Sequence, residues 1–129
     1  MINILVVDDS SLSRKRTIQA IETIDIEHTI VAEAENGEEA LQKFREYSID
    51  VVITDIEMPI MSGIILTQEL RYLTQELYII VLSSMVRQEI KQKIKKDKNS
   101  FYLKKPLKKE LLEDILGRLS HVLEKKELT

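Results

Sequence analysis

A short apolar run that stops at two acidic residues stands near the start of the chain, Ile4-Leu5-Val6-Val7-Asp8-Asp9. A similar run follows further along, Val51-Val52-Ile53-Thr54-Asp55. Runs of this length, rich in valine and isoleucine, are typical of strands that are buried on both faces of a parallel sheet. The two stretches therefore predict an α/β fold with a central parallel sheet.

Working outward, strand-like and helix-like segments alternate along the 129 residues. The predicted strands are residues 4–7, 29–34, 51–54, 78–82 and 100–103. The first helix begins at a cap, Ser10 or Ser11, and the others are predicted at 38–47, 64–73, 86–96 and 107–126. Such alternation favours right-handed crossovers with helices on both faces of the sheet. The expected architecture is a doubly wound five-stranded parallel sheet.

Size and composition exclude several classes of protein. The 129 residues are enough for one domain, and 43% apolar with 32% charged residues is typical of an ordered globular chain. Without cysteine there are no disulfides, thiolate zinc sites or thiol nucleophiles. The longest apolar runs are far shorter than the roughly 18 residues of a membrane span, and the first run meets Asp8 too early for a signal peptide. We expect a cytoplasmic protein that does not contact a membrane.

Charge is distributed unevenly along the chain. The net charge is −3, yet residues 1–64 carry 5 basic and 13 acidic side chains, whereas residues 65–129 carry 14 and 9. Residues 87–109 alone hold 10 basic and 2 acidic residues. This basic cluster is either a solvated helix face or a surface for an acidic partner. No helix-turn-helix or aromatic-rich basic motif accompanies it, so direct nucleic-acid binding is not expected.

Polar side chains stand at the carboxyl ends of four predicted strands: Asp8-Asp9, Asp55, Ser83-Ser84 and Lys105. Each alone is more often a turn or a helix cap. Together at one edge of a sheet, the carboxylates would repel one another unless a hard divalent cation, Mg²⁺ or Mn²⁺, were bound. A lysine and a hydroxyl beside that cation suit the oxygens of a phosphoryl group, and a carboxylate can act as the nucleophile.

Three segments carry a family resemblance: residues 5–10, 52–63 and 102–106, with residues 35–41 in support. They resemble the receiver domains of two-component response regulators. The resemblance covers about residues 2–125, so residues 1–125 are assigned to a receiver domain and residues 126–129 to a C-terminal tail. It implies the flavodoxin-like (βα)5 fold with strand order 2-1-3-4-5.

The resemblance also implies a metal site. Asp55 matches the phosphoacceptor, and Asp8 and Asp9 match the family's acidic pair. Asp9 and Asp55 would contact Mg²⁺ (or Mn²⁺), with Asp8 acting through water. The backbone carbonyl of Glu57 matches the third protein ligand.

Further positions match the groups that bind the phosphoryl oxygens and respond to them. Ser83 matches the switch hydroxyl, and the backbone N–H groups of Ser84 and Glu57 would donate to phosphoryl oxygens. Lys105 matches the family's lysine, which a cis peptide usually joins to the following proline, here Pro106. Tyr102 matches the aromatic switch that turns inward when the hydroxyl moves.

The chain departs from the family pattern at a few positions. Ser62 stands where aspartate is usual, with little effect expected on the chemistry. Glu57 and Met85 flank the route of an attacking water, so we expect them to set the rate of autodephosphorylation. The segment 97–99, Asp-Lys-Asn, replaces a usual small pair, and the loop is expected to be looser or differently turned.

These observations predict a phosphoacceptor response regulator. It would take a phosphoryl group from a sensor histidine kinase or phosphotransfer protein and expose an altered face, formed by the fourth helix, fifth strand and fifth helix, to an output protein with an acidic surface. The stretch Val7-Asp8-Asp9-Ser10-Ser11 and the Ser83-Ser84 pair are similar to chemotaxis receivers. It would not be an enzyme acting on a separate substrate, beyond its own phosphorylation and autodephosphorylation.

Alternatives from other classes remain open. The chain could be a receiver-fold docking module without phosphotransfer, or the receiver part cut from a longer chemotaxis methylesterase-type regulator. A metal-dependent phosphatase is disfavoured because Glu57 stands where such enzymes commonly have a second aspartate. A flavodoxin-like cofactor protein is disfavoured because the chain has no tryptophan and no serine- and glycine-rich phosphate loop.

Overall fold

The computed structural model describes residues 1–128. Ten elements alternate along the chain, five strands and five helices. In order they are β1 (Ile2–Val7), α1 (Ser11–Glu22), β2 (His28–Ala34), α2 (Gly37–Glu46), β3 (Val51–Asp55), α3 (Gly63–Leu73), β4 (Tyr78–Ser83), α4 (Gln88–Lys95), β5 (Ser100–Lys104) and α5 (Lys109–Leu128).

The five strands form one parallel sheet with the order β2-β1-β3-β4-β5, as the resemblance implied. In register, Val7 of β1 lies beside Thr54 of β3, and Ser83 of β4 lies beside Lys104 of β5. Because the strands are parallel, all their carboxyl ends meet at one edge. The residues that follow each strand are therefore collected there.

Each face of the sheet carries its own apolar core, as a doubly wound fold requires. Alternate strand residues such as Ile4, Val6 and Ile53 pack with the buried side of α5 and Ile21 of α1. The intervening residues, such as Leu5 and Val52, pack with the buried residues of α2, α3 and α4. Full burial of one such side chain contributes about 1.5–3 kcal/mol. The near-continuous apolar runs seen in the sequence reflect burial on both faces.

Three of the helices begin at side-chain caps. The hydroxyl of Ser10 accepts a hydrogen bond from the backbone N–H of Ser13, so Ser10 is the cap of α1. Asn36 caps α2 and Ser62 caps α3 in the same way. A serine and an aspartate are both good acceptors at this position, which explains how Ser62 can stand where the family usually has aspartate.

Helices α4 and α5 both begin two residues later than predicted. Helix α4 begins at Gln88 rather than at residue 86, because Val86 packs into the core and Arg87 is extended. Helix α5 begins at Lys109 rather than at 107, since the side chain of Leu107 is buried in the other core. It continues to Leu128, two residues beyond its predicted end. Residue 129 of the predicted tail lies outside the described residues.

The loop between α4 and β5 is held by a network of ion-pair and hydrogen-bond contacts. The carboxylate of Asp97 pairs with the guanidinium of Arg71 on α3 and accepts a 2.6 Å hydrogen bond from the Ser100 hydroxyl. Its other oxygen accepts the backbone N–H of Asn99 at 3.0 Å. Arg71 also donates to the Ser100 hydroxyl at 3.1 Å. This network joins α3 to the start of β5.

Within residues 1–128, none of the helices combines the length and apolar character that crossing a membrane would require.

Candidate functional site

Three carboxylates meet at the carboxyl edge of the sheet. One oxygen of each of Asp8, Asp9 and Asp55 lies within 4.8 Å of the others. Asp8 is buried, Asp9 is exposed and Asp55 is partly buried. They come together because β1 and β3 are neighbours and end at the same level. Three oxygen ligands in this arrangement fit a hard divalent cation such as Mg²⁺.

The ammonium group of Lys105 reaches the same cluster from the end of β5. Its Nζ atom lies 3.2 Å from Asp8 Oδ2 and 3.2 Å from Asp55 Oδ1. The backbone is anchored on β4, because the N–H of Lys105 donates to the Ser83 carbonyl at 2.7 Å. The peptide bond to Pro106 is cis, which confirms that expectation. Lysine and carboxylates thus share one cluster, as the strand-end pattern predicted.

The electrostatics of the cluster disfavour the charged form of Asp55. Burial raises the pKa of the Asp55 carboxyl, and the negative charge of Asp8 raises it further. The nearby Lys105 ammonium opposes both effects without cancelling them, so the pKa remains raised. An additional positive charge nearby would stabilise the ionised form of a carboxylate in this environment. The cluster is therefore suited to binding a cation.

Ser83 ends β4 at the same edge, but its hydroxyl is engaged with its own loop. The side chain is buried, and Oγ donates to the carbonyl oxygen of Met85 at 2.7 Å. The backbone N–H of Met85 donates back to Ser83 Oγ at 3.2 Å. Ser84 follows directly and is exposed. The hydroxyl and the loop after β4 thus form one hydrogen-bonded unit.

The side chain of Tyr102 points inward beneath that loop. It is 9% exposed, and its hydroxyl donates to the Met85 carbonyl at 3.3 Å. The same hydroxyl accepts the backbone N–H of Arg87 at 3.3 Å. Arg87 occupies the N-cap position of α4, but its side chain makes no capping hydrogen bond. Tyr102 therefore connects β5 to the start of α4.

Two side chains that the sequence singled out stand at the solvent side of the site. The carboxylate of Glu57 is exposed and lies 4.0 Å from the guanidinium of Arg87. Together with Ser83 and Tyr102 these two residues line a cleft of 380 Å³. Met85 is 69% exposed on the neighbouring loop. The Glu57 side chain is turned toward Arg87 and does not belong to the acidic cluster of Asp8, Asp9 and Asp55.

The loop after Asp55 contains a tight, strained turn. Ile60 has a φ of 71°, and the N–H of Met61 donates to the Pro59 carbonyl at 2.7 Å. A β-branched residue rarely adopts this left-handed conformation. The chain then returns so closely that a Cβ on Gly63 would lie 2.3 Å from the Asp55 carbonyl oxygen. Glycine at 63 is therefore required by close backbone approach.

Some contacts of the site were not anticipated from the sequence. The hydroxyl of Ser13, on α1, accepts a hydrogen bond from Lys105 Nζ at 2.9 Å. Arg14 donates to the carbonyl oxygen of Asp8 at 2.6 Å and pairs with Glu33 of β2 at 2.8 Å. The only sequence signal for either was a position in the first turn of the helix that follows Asp8-Asp9. Such positions are common, and spacing alone does not mark them.

Comparisons with known proteins agree with this geometry. The family model for the response regulator receiver domain matches residues 4–117. The chain is 35% identical over 114 residues to the chemotaxis protein CheY of Halobacterium salinarum, covering 88% of this chain and 92% of that protein. It is 41% identical over 92 residues to a protein-glutamate methylesterase/protein-glutamine glutaminase of Syntrophomonas wolfei, covering 71% of this chain but 26% of that protein.

A solved structure extends the likeness to three dimensions. The structure described as the CheX-CheY-BeF3-Mg+2 complex of Borrelia burgdorferi superposes with a TM-score of 0.78 at 25% identity, covering 89% of this chain and 86% of that one. The match of the family model spans most of the chain, and the site described above lies within it. The chain belongs to the family of response regulator receiver domains.

Proposed function

We propose that Asp55 is a phosphoacceptor. A carboxylate oxygen of Asp55 would attack the phosphorus of a phosphohistidine on a sensor histidine kinase or phosphotransfer protein. The P–N bond breaks, the imidazole nitrogen leaves with the bonding electron pair, and an aspartyl-phosphate forms. The observation that carries the proposal is the position of Asp55 within 3.2 Å of Lys105 and inside the acidic cluster.

The donor set of the site fits Mg²⁺ or Mn²⁺. Asp8, Asp9, Asp55 and the backbone carbonyl of Glu57 would hold the ion, which supplies charge neutralisation for the phosphoryl oxygens when bound. Lys105 would supply a second positive charge. The backbone N–H groups of Glu57 and Ser84 would donate to phosphoryl oxygens.

Ser83 and Tyr102 would transmit the change. The Ser83 hydroxyl would leave the Met85 carbonyl and donate to a phosphoryl oxygen. Because Tyr102 and Arg87 share hydrogen bonds with the same loop, its rearrangement would alter the start of α4. The phosphoryl group would thereby shift an existing equilibrium between two conformations.

The output surface would be the face formed by α4, β5 and α5. Most of its lysines are exposed, among them Lys91, Lys93, Lys95 and Lys104. We propose an output protein with an acidic surface, attracted by this charge. Nucleic acid is not proposed as a direct partner. The protein would modify only itself, by phosphorylation and autodephosphorylation, and would turn over no separate substrate.

The named relatives support a role in chemotaxis, with the cytoplasm as the compartment. The similarity to a methylesterase also supports the alternative that these residues are the receiver part of a longer methylesterase-type regulator. Both versions use the same phosphoacceptor site. They differ in the output, which is a separate protein in the first and an attached catalytic domain in the second.

Intact mass spectrometry tests the phosphoacceptor. The protein is incubated with Mg²⁺ and phosphoramidate or acetyl phosphate, beside Asp55→Ala and a metal-chelated control. We expect one added phosphoryl group that is missing from both controls. An unmodified wild-type protein that also fails to bind beryllofluoride with Mg²⁺ would contradict the proposal and favour a docking module without phosphotransfer.

A further inference from the structure

The shortest polar contact of the Lys105 ammonium group is to a neutral side chain. Ser13 Oγ lies 2.9 Å from Lys105 Nζ, against 3.2 Å for both Asp8 and Asp55. An ammonium group has three N–H donors, and these three oxygens can accept all of them. The acceptors come from the ends of β1 and β3 and from the first turn of α1. Lys105 is therefore held from three sides.

Ser13 is itself held in place by the cap of α1. Its backbone N–H donates to Ser10 Oγ at 3.2 Å, and the N–H of Ser10 donates to Asp8 Oδ1 at 3.0 Å. The other oxygen of the Asp8 carboxylate accepts Lys105 at 3.2 Å. These contacts close a ring that runs from Asp8 through Ser10 and Ser13 to Lys105 and back. Such a ring restricts the serine hydroxyl and the lysine together.

The two carboxylate contacts of Lys105 differ from the serine contact in one respect. Asp55 is the proposed reacting group, and Asp8 belongs to the proposed metal site, so both change their surroundings during the reaction. Ser13 belongs to neither. It contacts the lysine from the α1 side, where α1 and the Lys105–Leu107 loop line a cleft. The Lys105 side chain is 23% exposed.

We propose that Ser13 is a positioning residue for phosphotransfer. Its hydroxyl keeps Lys105 Nζ aimed at Asp55, so that the ammonium meets the incoming phosphoryl oxygens without first being reoriented. This inference rests on the proposed function of Asp55. Ser13 contributes no carboxylate to the acidic cluster, so its hydroxyl acts on the lysine rather than as a ligand of Mg²⁺.

Three variants distinguish a positioning role of Ser13 from a general effect on the structure. Ser13→Ala removes the acceptor, Ser13→Thr restores a hydroxyl, and Ser11→Ala alters an exposed serine in the same turn. The rate of phosphorylation by phosphoramidate is measured by intact mass across a Mg²⁺ titration. We expect Ser13→Ala to lower the maximal rate about 3- to 10-fold, the size expected for part of one charged hydrogen bond. Its half-saturating Mg²⁺ concentration should stay within about twofold of the wild type, and Ser13→Thr and Ser11→Ala should keep the wild-type rate.

A second measurement reports the contact without any phosphotransfer. Nitrogen-15 NMR of the lysine ammonium groups follows their proton exchange with water, with Lys105 identified by the signal missing from Lys105→Arg. Ser13→Ala should speed this exchange at Lys105 alone. Unchanged exchange, or an active Ser13→Ala protein at the wild-type rate, overturns the inference. So does a Ser13→Thr protein as slow as Ser13→Ala, or a rate loss matched by an equal loss of Mg²⁺ affinity.

The failure of the proposed function gives a different result. If the wild-type protein takes no phosphoryl group at any Mg²⁺ concentration and also fails to bind beryllofluoride with Mg²⁺, the phosphoacceptor proposal falls and the positioning role falls with it. If the wild-type protein is phosphorylated and only the effect of Ser13→Ala is missing, the phosphoacceptor proposal stands and the positioning role alone is rejected.

Discussion

The hydroxyl of Ser83 donates a 2.7 Å hydrogen bond to the carbonyl oxygen of Met85, two residues further along. The hydroxyl of Tyr102 approaches the same oxygen, at 3.3 Å. Two side chains from neighbouring strands therefore share one acceptor in the loop before α4. If Ser83 turns toward a phosphoryl group on Asp55, Tyr102 remains as the side chain that holds this loop.

Tyr102→Phe tests how firmly that loop is held. The substitution removes the acceptor of the Arg87 backbone N–H while keeping the buried ring. Loss of one neutral hydrogen bond of about 1 kcal/mol should speed hydrogen exchange at the Arg87 amide about fivefold, as read by NMR. Tyr72→Phe, at a side chain that is 89% exposed, serves as the matched control. Equal protection of Arg87 in both variants would show that the Tyr102 hydroxyl does not hold the loop.

Glu57 and Met85 should control the lifetime of the phosphoryl group. Glu57 leans across the solvent side of the site toward Arg87, and Met85 is exposed on the facing loop. Glu57→Asn and Met85→Ala both shorten a side chain beside the expected path of an attacking water. We expect each to shorten the phosphoryl half-life several-fold, and the double variant more so, measured by the decay of the phosphorylated mass after donor removal. Unchanged half-lives in all three would reject this role.

Mg²⁺ should stabilise the folded protein through the acidic cluster. A ligand that binds only the folded state at about 100 times its Kd adds about 2.7 kcal/mol to the free energy of unfolding. Asp9→Asn removes one carboxylate of the cluster and should abolish most of this gain in urea unfolding. Glu22→Gln, an exposed carboxylate on α1, should keep it. An equal Mg²⁺ effect in both variants would place the ion elsewhere.

The Arg71–Asp97 pair should make stability depend on acidic pH. Burial raises the pKa of the Asp97 carboxyl, but hydrogen bonds from Ser100 and Asn99 and the pairing with Arg71 outweigh it and hold the pKa below its usual range. The stabilisation is therefore complete above the unfolded value of 3.8 and is lost as pH falls through the lower folded value.

Asp97→Asn tests the contribution of the Arg71–Asp97 pair to stability. It leaves the largely buried Arg71 side chain without its charged partner, and we expect a loss of about 1.5–3 kcal/mol in the free energy of unfolding at pH 7. The difference from the wild type should begin to shrink below about pH 4, where the carboxyl of the unfolded chain is protonated first. It should keep shrinking until the pH lies below the lowered pKa of the Asp97 carboxyl in the folded protein. Urea unfolding at several pH values measures it. A difference that stays constant down to pH 2 would contradict the assignment.

Ile60→Gly should relieve the strained turn beside the site. The Ile60 side chain is 72% exposed, so little packing is lost, while its φ of 71° is unfavourable for a β-branched residue. Release of roughly 1–3 kcal/mol of strain should exceed the roughly 0.5–1 kcal/mol of added unfolded-chain entropy. The expected result is a net gain of about 1 kcal/mol in urea unfolding. A destabilised Ile60→Gly protein would mean that the isoleucine side chain contributes packing here.

Much of the fold follows from local patterns. The apolar runs predicted five strands, and their alternation with helical segments predicted a parallel sheet with helices on both faces. The helix boundaries at Gln88 and Lys109 did not follow, because they depend on Val86 and Leu107 being drawn into the two cores. The spacing of apolar residues in the sequence shows where an apolar side chain stands, but it does not show whether that side chain packs from a helix or from the loop before it.

The same distinction between local sequence pattern and tertiary packing applies to the candidate site. Sequence alone determined which chemistry gathers at the edge of the sheet, since Asp8, Asp55, Ser83 and Lys105 each end or follow a strand and parallel strands end together. Only the tertiary structure decided which neighbours the side chains around the site contact: Ser13 contacts Lys105, Arg87 lies near Glu57, and Ser83 is turned to Met85. The physical reason is that a strand end is set by local backbone order, whereas the contacts of its side chains depend on how helices pack over residues distant in the chain.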